Sequence, residues 1–101
     1  MIDQKQIDYF EKHGVICLRG YFNNWVDVLR EGIEKLIRNP SPRERSYEPE
    51  DGSAPFFQDL CNWQRIQEFE DFIFNSNAGE IASKLMKSKT SRFFHDHVLV
   101  K

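Results

Sequence analysis

The chain of 101 residues lacks several features that would assign it to a class of protein directly. It has no apolar run approaching the roughly 20 residues that a helix needs to cross a bilayer, and its polar start, Met1 to Gln6, contains no signal-peptide core. The net charge is −2 and neither sign forms a long run, so no basic patch for nucleic acid is evident. We therefore expect a cytoplasmic protein whose partners include neither a membrane nor a nucleic acid.

Motifs of the common enzyme classes are also missing. There is no glycine-rich phosphate loop, no serine nucleophile elbow and no pair of carboxylates at a telling spacing. The two cysteines, Cys17 and Cys61, lie far apart without a CxxC spacing, which favours separate reduced thiols over a disulfide. No catalytic residue is predicted within the chain.

The first helix is the clearest element that the sequence does contain. Asp3 is a good N-cap with Gln6 in the capping-box position, and Gly14 is a natural stop. His13 falls in the last turn, where a partial positive charge suits the helix dipole, and we assign it that structural role.

Three further helices are predicted from apolar residues at helical spacing. The second ends at Pro40 and contains Gly32, which indicates close packing at that point. The fourth has Glu80 three residues after its predicted cap, as in a capping box. The predicted caps of the second, third and fourth helices are Asn23 or Asn24, Asn62 and Asn77.

The segments between these helices are harder to interpret. The apolar run Val15 to Leu18 predicts a short strand covered on both faces, which would bury Cys17. Residues 39–61 have no period and are interrupted by prolines, so we expect an irregular lid-like loop, with a floppy solvated loop as the alternative. The predicted order is α-β-α-loop-α-α-β, an α+β domain.

The closing stretch, Ser91 to Lys101, is the most informative part of the sequence. Strand alternation places His95, His97 and Lys101 on one face with Phe93 and Leu99, as if they faced a polar cavity. Two histidines at this spacing can bind a metal, but a full site needs three or four ligands. A pocket lining is therefore the favoured role, and a small metal-binding domain that uses His95 and His97 is the weaker alternative.

The same stretch also leads us to expect further residues downstream. The strand pattern continues up to Lys101 without a turn residue. A strand with an unpaired edge is an unusual place for a domain to end.

Taken together, these residues resemble the N-terminal part of the phytanoyl-CoA dioxygenase-like family of Fe(II)/2-oxoglutarate-dependent oxygenases. The resemblance covers nearly the whole chain, and its most specific segment is Arg92 to Lys101. The other matching segments are Phe10 to Gly14, Val15 to Gly20, Val26 to Ile37, Phe57 to Trp63 and Ile81 to Ser88.

The resemblance implies a double-stranded β-helix, a jelly-roll or cupin-like fold with helices outside its major sheet, of which residues 1–101 form a single, incomplete N-terminal portion. Family members use an HxD motif and a distal histidine to hold iron, and the matching strand precedes that motif. His95-Asp96-His97 is therefore not the iron site, and we predict no metal ligand in this chain. By resemblance, His97 and Lys101 contact the 2-oxoglutarate cofactor, and Phe56 to Asp59 approach it.

The function implied by the resemblance is hydroxylation of a small-molecule substrate by the complete enzyme. The chain alone should be inactive and should bind neither Fe(II) nor 2-oxoglutarate tightly. The alternative is a non-catalytic remnant or interaction module, which would pair with a partner chain or a second copy through its open strand edge.

Overall fold

The structure is a computed structural model that describes residues 1–101. It contains four helices and a two-stranded antiparallel sheet, which confirms a mixed α+β architecture. The elements in chain order are α1 (Gln4–His13), α2 (Val26–Arg38), β1 (Phe57–Leu60), α3 (Gln67–Asn75), α4 (Ala78–Leu85) and β2 (His97–Val100), with a 3₁₀ turn at Asn23–Trp25.

Both ends of α1 form as predicted. The Asp3 carboxylate accepts from the Gln6 backbone N–H at 2.9 Å, and the Gln6 side chain accepts from the Asp3 N–H at 2.9 Å. Gly14 has a φ of 72°, in the left-handed region, and its N–H donates to the Phe10 carbonyl at 2.7 Å. Residues close in sequence decide both ends, which is why the sequence suffices to predict them.

The other helices begin differently from the prediction. The 3₁₀ turn at Asn23–Trp25 precedes α2, and no side chain caps it. The carbonyl of Asn62 closes a turn by accepting from the Ile66 N–H at 3.1 Å, so α3 begins only at Gln67. Asn77 is at the N-cap of α4 but its side chain makes no cap hydrogen bond, so the predicted capping box is absent.

The predicted strand at Val15 to Leu18 is wrong. These residues form no helix or strand, and no other segment pairs with them. Val15 is 65 % exposed and Cys17 is exposed, whereas Ile16 and Leu18 are half-buried. The run alternates in burial like a strand, but without a partner it lacks the ladder of hydrogen bonds that defines one.

The segment 39–61 is not irregular throughout, because β1 occupies its last part. Before β1, residues 43–47 lie antiparallel along it, and we call this segment the strap. The Arg45 N–H donates to the Gln58 carbonyl at 3.0 Å, and Tyr47 and Phe56 exchange two hydrogen bonds of 2.8 Å. The strap therefore covers one edge of β1.

The opposite edge of β1 pairs with β2 in a register that sets Asp59 opposite Val98 and Leu60 opposite His97. The helices cover one face of this sheet. The buried core consists of Leu36, Ile66 and Phe69, and the half-buried side chains packed against it are Leu29, Ile33, Phe57, Trp63 and Val98.

Helices α2 and α3 meet at Gly32, as the sequence predicts. A methyl group at this position would lie 2.8 Å from Cε1 of Phe69 and 2.9 Å from Cβ of Glu68. Beside this contact the Lys35 Nζ lies 2.6 Å from Oε2 of the buried Glu68. The hydrogen bond from Lys35 holds the pKa of Glu68 below its ordinary value, so this pair stays ionised near neutral pH.

The chain exposes much more surface than a closed domain of its size. Its accessible area is 7662 Å², whereas a compact protein of 12.0 kDa exposes about 6,000 Å². Its radius of gyration is 16.0 Å, against about 13 Å for a compact chain of this length. Only ten of the 101 residues are buried. The helices thus cover one face of a sheet whose other face is open.

Candidate functional site

The candidate site is the uncovered face of the sheet, which we call the open sheet face and define as Gln58, Leu60, His97 and Leu99. Side chains alternate along each strand, and the register brings these four to the same side. His97 and Leu99 are exposed, whereas Val98 between them packs against the core. The alternation of side chains between the two faces of β2 is therefore confirmed. The strand itself spans only His97–Val100, whereas the sequence predicts 91–101.

His97 makes one polar contact on this face. Its Nε2 lies 3.3 Å from Oε1 of Gln58, the residue diagonally across the two strands. Both side chains are polar and reach solvent from the same side. Lys101 follows β2 and is exposed. An anion that approached the open sheet face would meet the imidazole of His97 and the amide of Gln58.

His95 does not belong to this face. It precedes β2, and its ring packs edge to face against Phe94 with the ring centroids 4.5 Å apart. The predicted row of Phe93, His95 and His97 on one continuous strand is therefore wrong. A strand needs a neighbour to hold it extended, and β1 has only enough residues to pair with the end of the stretch.

Asp96, between the two histidines, has a structural role that the sequence does not reveal. Its carboxylate accepts from the Asn62 N–H at 2.8 and 3.0 Å and from the Trp63 N–H at 2.8 Å. Its own carbonyl accepts from the Cys61 N–H at 3.0 Å. Two successive N–H groups thus bind the carboxylate of Asp96, like the backbone nests that bind anions, and we call this pair of amides the nest. Cys61 adopts a φ of 60° at this turn.

Nowhere in residues 1–101 do three His, Cys, Asp or Glu side chains converge as metal ligands. Asp96 is the one carboxylate between the two histidines, and it is already hydrogen-bonded to backbone N–H groups. The residues present therefore do not fit a facial triad of two histidines and a carboxylate. Both thiols, Cys17 and Cys61, are free and exposed.

A second polar group, which the sequence also does not reveal, anchors β1 from the helix side. Asp59 is fully buried, and its carboxylate accepts from the N–H and the hydroxyl of Ser41 at 2.7 and 2.5 Å. Burial alone would raise the pKa of Asp59, but the hydrogen bonds from Ser41 outweigh it and hold the pKa below its ordinary value. The charged carboxylate therefore links β1, by hydrogen bonds, to the segment that follows α2.

The segment Phe56 to Asp59, which resembles a part of the family near the cofactor, is divided between two faces. Phe57 packs against the core and Asp59 is buried, whereas Gln58 lies on the open sheet face. Only Gln58 of these three can meet a ligand on that face.

Comparisons with known proteins give no relative: no family model, no curated protein and no solved structure matches the chain. None of the four helices is long and apolar enough to cross a bilayer.

Proposed function

We propose that this chain forms the N-terminal portion of an Fe(II)/2-oxoglutarate-dependent oxygenase resembling the phytanoyl-CoA dioxygenase-like family. The observation that supports it best is the two-sided character of the sheet. Helices pack on one face, and His97 stands on the other, which is open. A jelly roll has this arrangement at its major sheet, where the inward face lines the cavity. The excess of exposed surface over a compact domain also fits an incomplete barrel.

In this proposal the open sheet face is one wall of the cofactor cavity. Lys101 would offer positive charge and His97 a hydrogen bond to the carboxylates of 2-oxoglutarate, with Gln58 orienting the imidazole. The complete enzyme would use iron and O₂ to hydroxylate a C–H bond of a small molecule. Because residues 1–101 do not assemble an iron site, the proposal requires ligands from further residues.

The reading frame beyond Lys101 gives the first test. An HxD motif shortly downstream, followed by a distal histidine and an arginine, is the expected result. A frame that lacks them contradicts the proposal.

Turnover gives the second test. Residues 1–101, supplied with Fe(II), 2-oxoglutarate and O₂, should form no succinate, and succinate formed by this chain alone would refute the proposal. In a protein that also contains the residues supplying the iron ligands, His97→Ala should raise KM for 2-oxoglutarate more than it lowers kcat. Tyr47→Ala, on the strap, is the matched control.

One observation favours a second candidate, an interaction module that pairs through the free edge of β2. Asp96 accepts from Cys61, so the backbone groups of residues 96, 98 and 100 point toward β1 and those of His97 and Leu99 point away. No backbone hydrogen bond reaches those outward groups. Such an edge is a template for another strand, from a partner or a second copy.

The test of this candidate uses one position. Leu99→Pro removes an outward N–H without removing a bond to β1, whereas Leu99→Ala keeps that N–H and loses most of the side chain. If the edge mediates self-association, light scattering should show dimers for the wild type and Leu99→Ala and monomers for Leu99→Pro. A monodisperse wild-type monomer would contradict pairing with a second copy.

A further inference from the structure

A second surface is an apolar groove between the end of α3, α4 and the segment 91–94. Its volume is about 470 Å³, and we call it the aromatic groove. It is defined by Phe72, Phe74, Ala82, Met86, Phe93 and Phe94. Four of these side chains are largely exposed, from 48 % for Phe93 to 88 % for Phe94. Single exposed apolar residues are ordinary, but a contiguous set around one groove is typical of a binding surface.

The walls of the aromatic groove are held in place. Trp63 packs edge to face against Phe74 and Phe93, with ring centroids 5.7 and 6.0 Å apart. The hydroxyl of Ser91 donates to the Gly79 carbonyl at 2.7 Å and ties the segment 91–94 to α4. The groove is therefore formed before any partner arrives, which lowers the entropic penalty of binding.

One side of the groove, formed by α4 and the segment that follows it, belongs to a positively charged part of the chain. Residues 81–95 contain Lys84, Lys87, Lys89 and Arg92 and no acidic residue, although acidic residues outnumber basic ones in the whole chain. Glu80 and Glu11 pair with the first two lysines, whereas Lys89 and Arg92 form no salt bridge. Arg92 lines the groove itself. A second copy that presented the same face would bring like charges together, so charge complementarity favours an acidic occupant.

We propose that the aromatic groove binds an acidic amphipathic helix of a partner protein. Such helices place apolar anchors at i, i+3, i+4 and i+7 into a preformed groove, and methionine and phenylalanine walls suit them. Glutamates beside the anchors would meet Arg92, which lines the groove, and Lys89, three residues before it in the chain. This proposal does not depend on the proposed oxygenase function, because none of the four residues of the open sheet face lines the groove.

The test titrates the full chain with designed amphipathic peptides by calorimetry. One peptide carries leucine at the anchor positions and glutamate elsewhere, and its control has lysine in place of every glutamate. The glutamate peptide should bind at least about tenfold more tightly, because its charges attract the basic residues beside the groove, whereas those of the lysine peptide are repelled. Binding should also change the fluorescence of Trp63 in a Trp25→Phe background, which removes the other tryptophan.

Surface variants then locate the binding. Phe94→Ser should weaken the glutamate peptide at least about fivefold, as expected for a buried aromatic anchor. Arg92→Gln combined with Lys89→Gln should weaken it about three- to tenfold and remove the preference over the lysine peptide. The matched controls are Tyr47→Ser and Arg30→Gln, exposed residues outside the groove, and they should change nothing.

Two outcomes overturn the proposal. The first is a glutamate peptide that fails to bind, or that binds Phe94→Ser as tightly as it binds the control variants. The second is binding to vesicles of phosphatidylcholine and phosphatidylserine that Phe94→Ser abolishes while the peptide does not bind, which would assign the surface to an anionic bilayer.

Discussion

The contact of Gly32 with α3 allows a sharp prediction for Gly32→Ala. Alanine favours a helix over glycine by about 1 kcal/mol, so the substitution would stabilise an unobstructed helix. Here its methyl group would lie 2.8 Å from the ring of Phe69 and 2.9 Å from Cβ of Glu68, well inside normal van der Waals distance. Cβ of Glu68 is fixed to the backbone of α3, so α2 and α3 must move apart. Overpacking of this kind costs about 1–3 kcal/mol.

The expected result for Gly32→Ala is a net loss of up to about 2 kcal/mol in the free energy of unfolding, because the overpacking cost of about 1–3 kcal/mol cancels or exceeds the gain of about 1 kcal/mol in helix propensity. A loss of that size lowers Tm by up to roughly 16 °C for a domain of this length. Urea titration followed by circular dichroism measures the change. Gly79→Ala on α4 is the control, because its methyl group would meet only the Ser91 hydroxyl at 3.4 Å, and it should be neutral or stabilising by about 0.5 kcal/mol. A Gly32→Ala variant that is more stable than the wild type by the full helix-propensity gain of about 1 kcal/mol would refute the close approach of the two helices.

Three other substitutions test the core, the buried carboxylate of Asp59 and the half-buried carboxylate of Asp96. Leu36→Ala should lower the free energy of unfolding by about 2–5 kcal/mol, whereas the exposed Ile37→Ala should change it by less than about 0.5 kcal/mol in urea titrations. Asp59→Asn should cost about 1–3 kcal/mol at pH 7 by breaking its bonds to Ser41. Because the pKa of Asp59 is lowered in the folded state, its contribution is present above about pH 4 and disappears as the pH falls through the folded pKa. The difference in the free energy of unfolding between the wild type and Asp59→Asn should therefore become smaller as the pH falls, which acid unfolding curves measure. A difference that does not change with pH would contradict that role. Asp96→Asn should speed hydrogen exchange at the backbone amides of residues 62 and 63 without changing exchange in α1, and equal exchange in both proteins would contradict the nest.

The parts of the fold that the sequence predicts depend on residues close to one another. The capping box of α1 and its stop at Gly14 need only a few neighbouring residues, and both are confirmed. The close approach at Gly32 is also confirmed. A glycine inside an amphipathic helix lowers the helix propensity, and the packing of a neighbouring helix against it offsets that loss.

The parts that it misses depend on distant partners. Val15 to Leu18 has the pattern of a strand but no segment to pair with, whereas β1 lies in a proline-interrupted region and pairs with residues far along the chain. The nest around Asp96 is formed by residues more than 30 positions earlier. Its one sequence signal is an aspartate between two histidines, which suggested metal chemistry instead. At the candidate site, strand alternation predicted the exposed side of His97, but the Gln58 contact required the register.

The position of β1 between the strap and β2 also bears on the order in which the chain assembles. The loop that joins the strap to β1 is residues 48–55, whereas residues 61–96 must be traversed before β2 can pair. Closing the longer loop costs about 1 kcal/mol more in chain entropy. The strap and β1 also emerge from the ribosome well before β2 does. During synthesis, β1 can therefore pair with the strap before β2 is available to pair with its opposite edge. That edge is then the part of the nascent chain most open to mispairing.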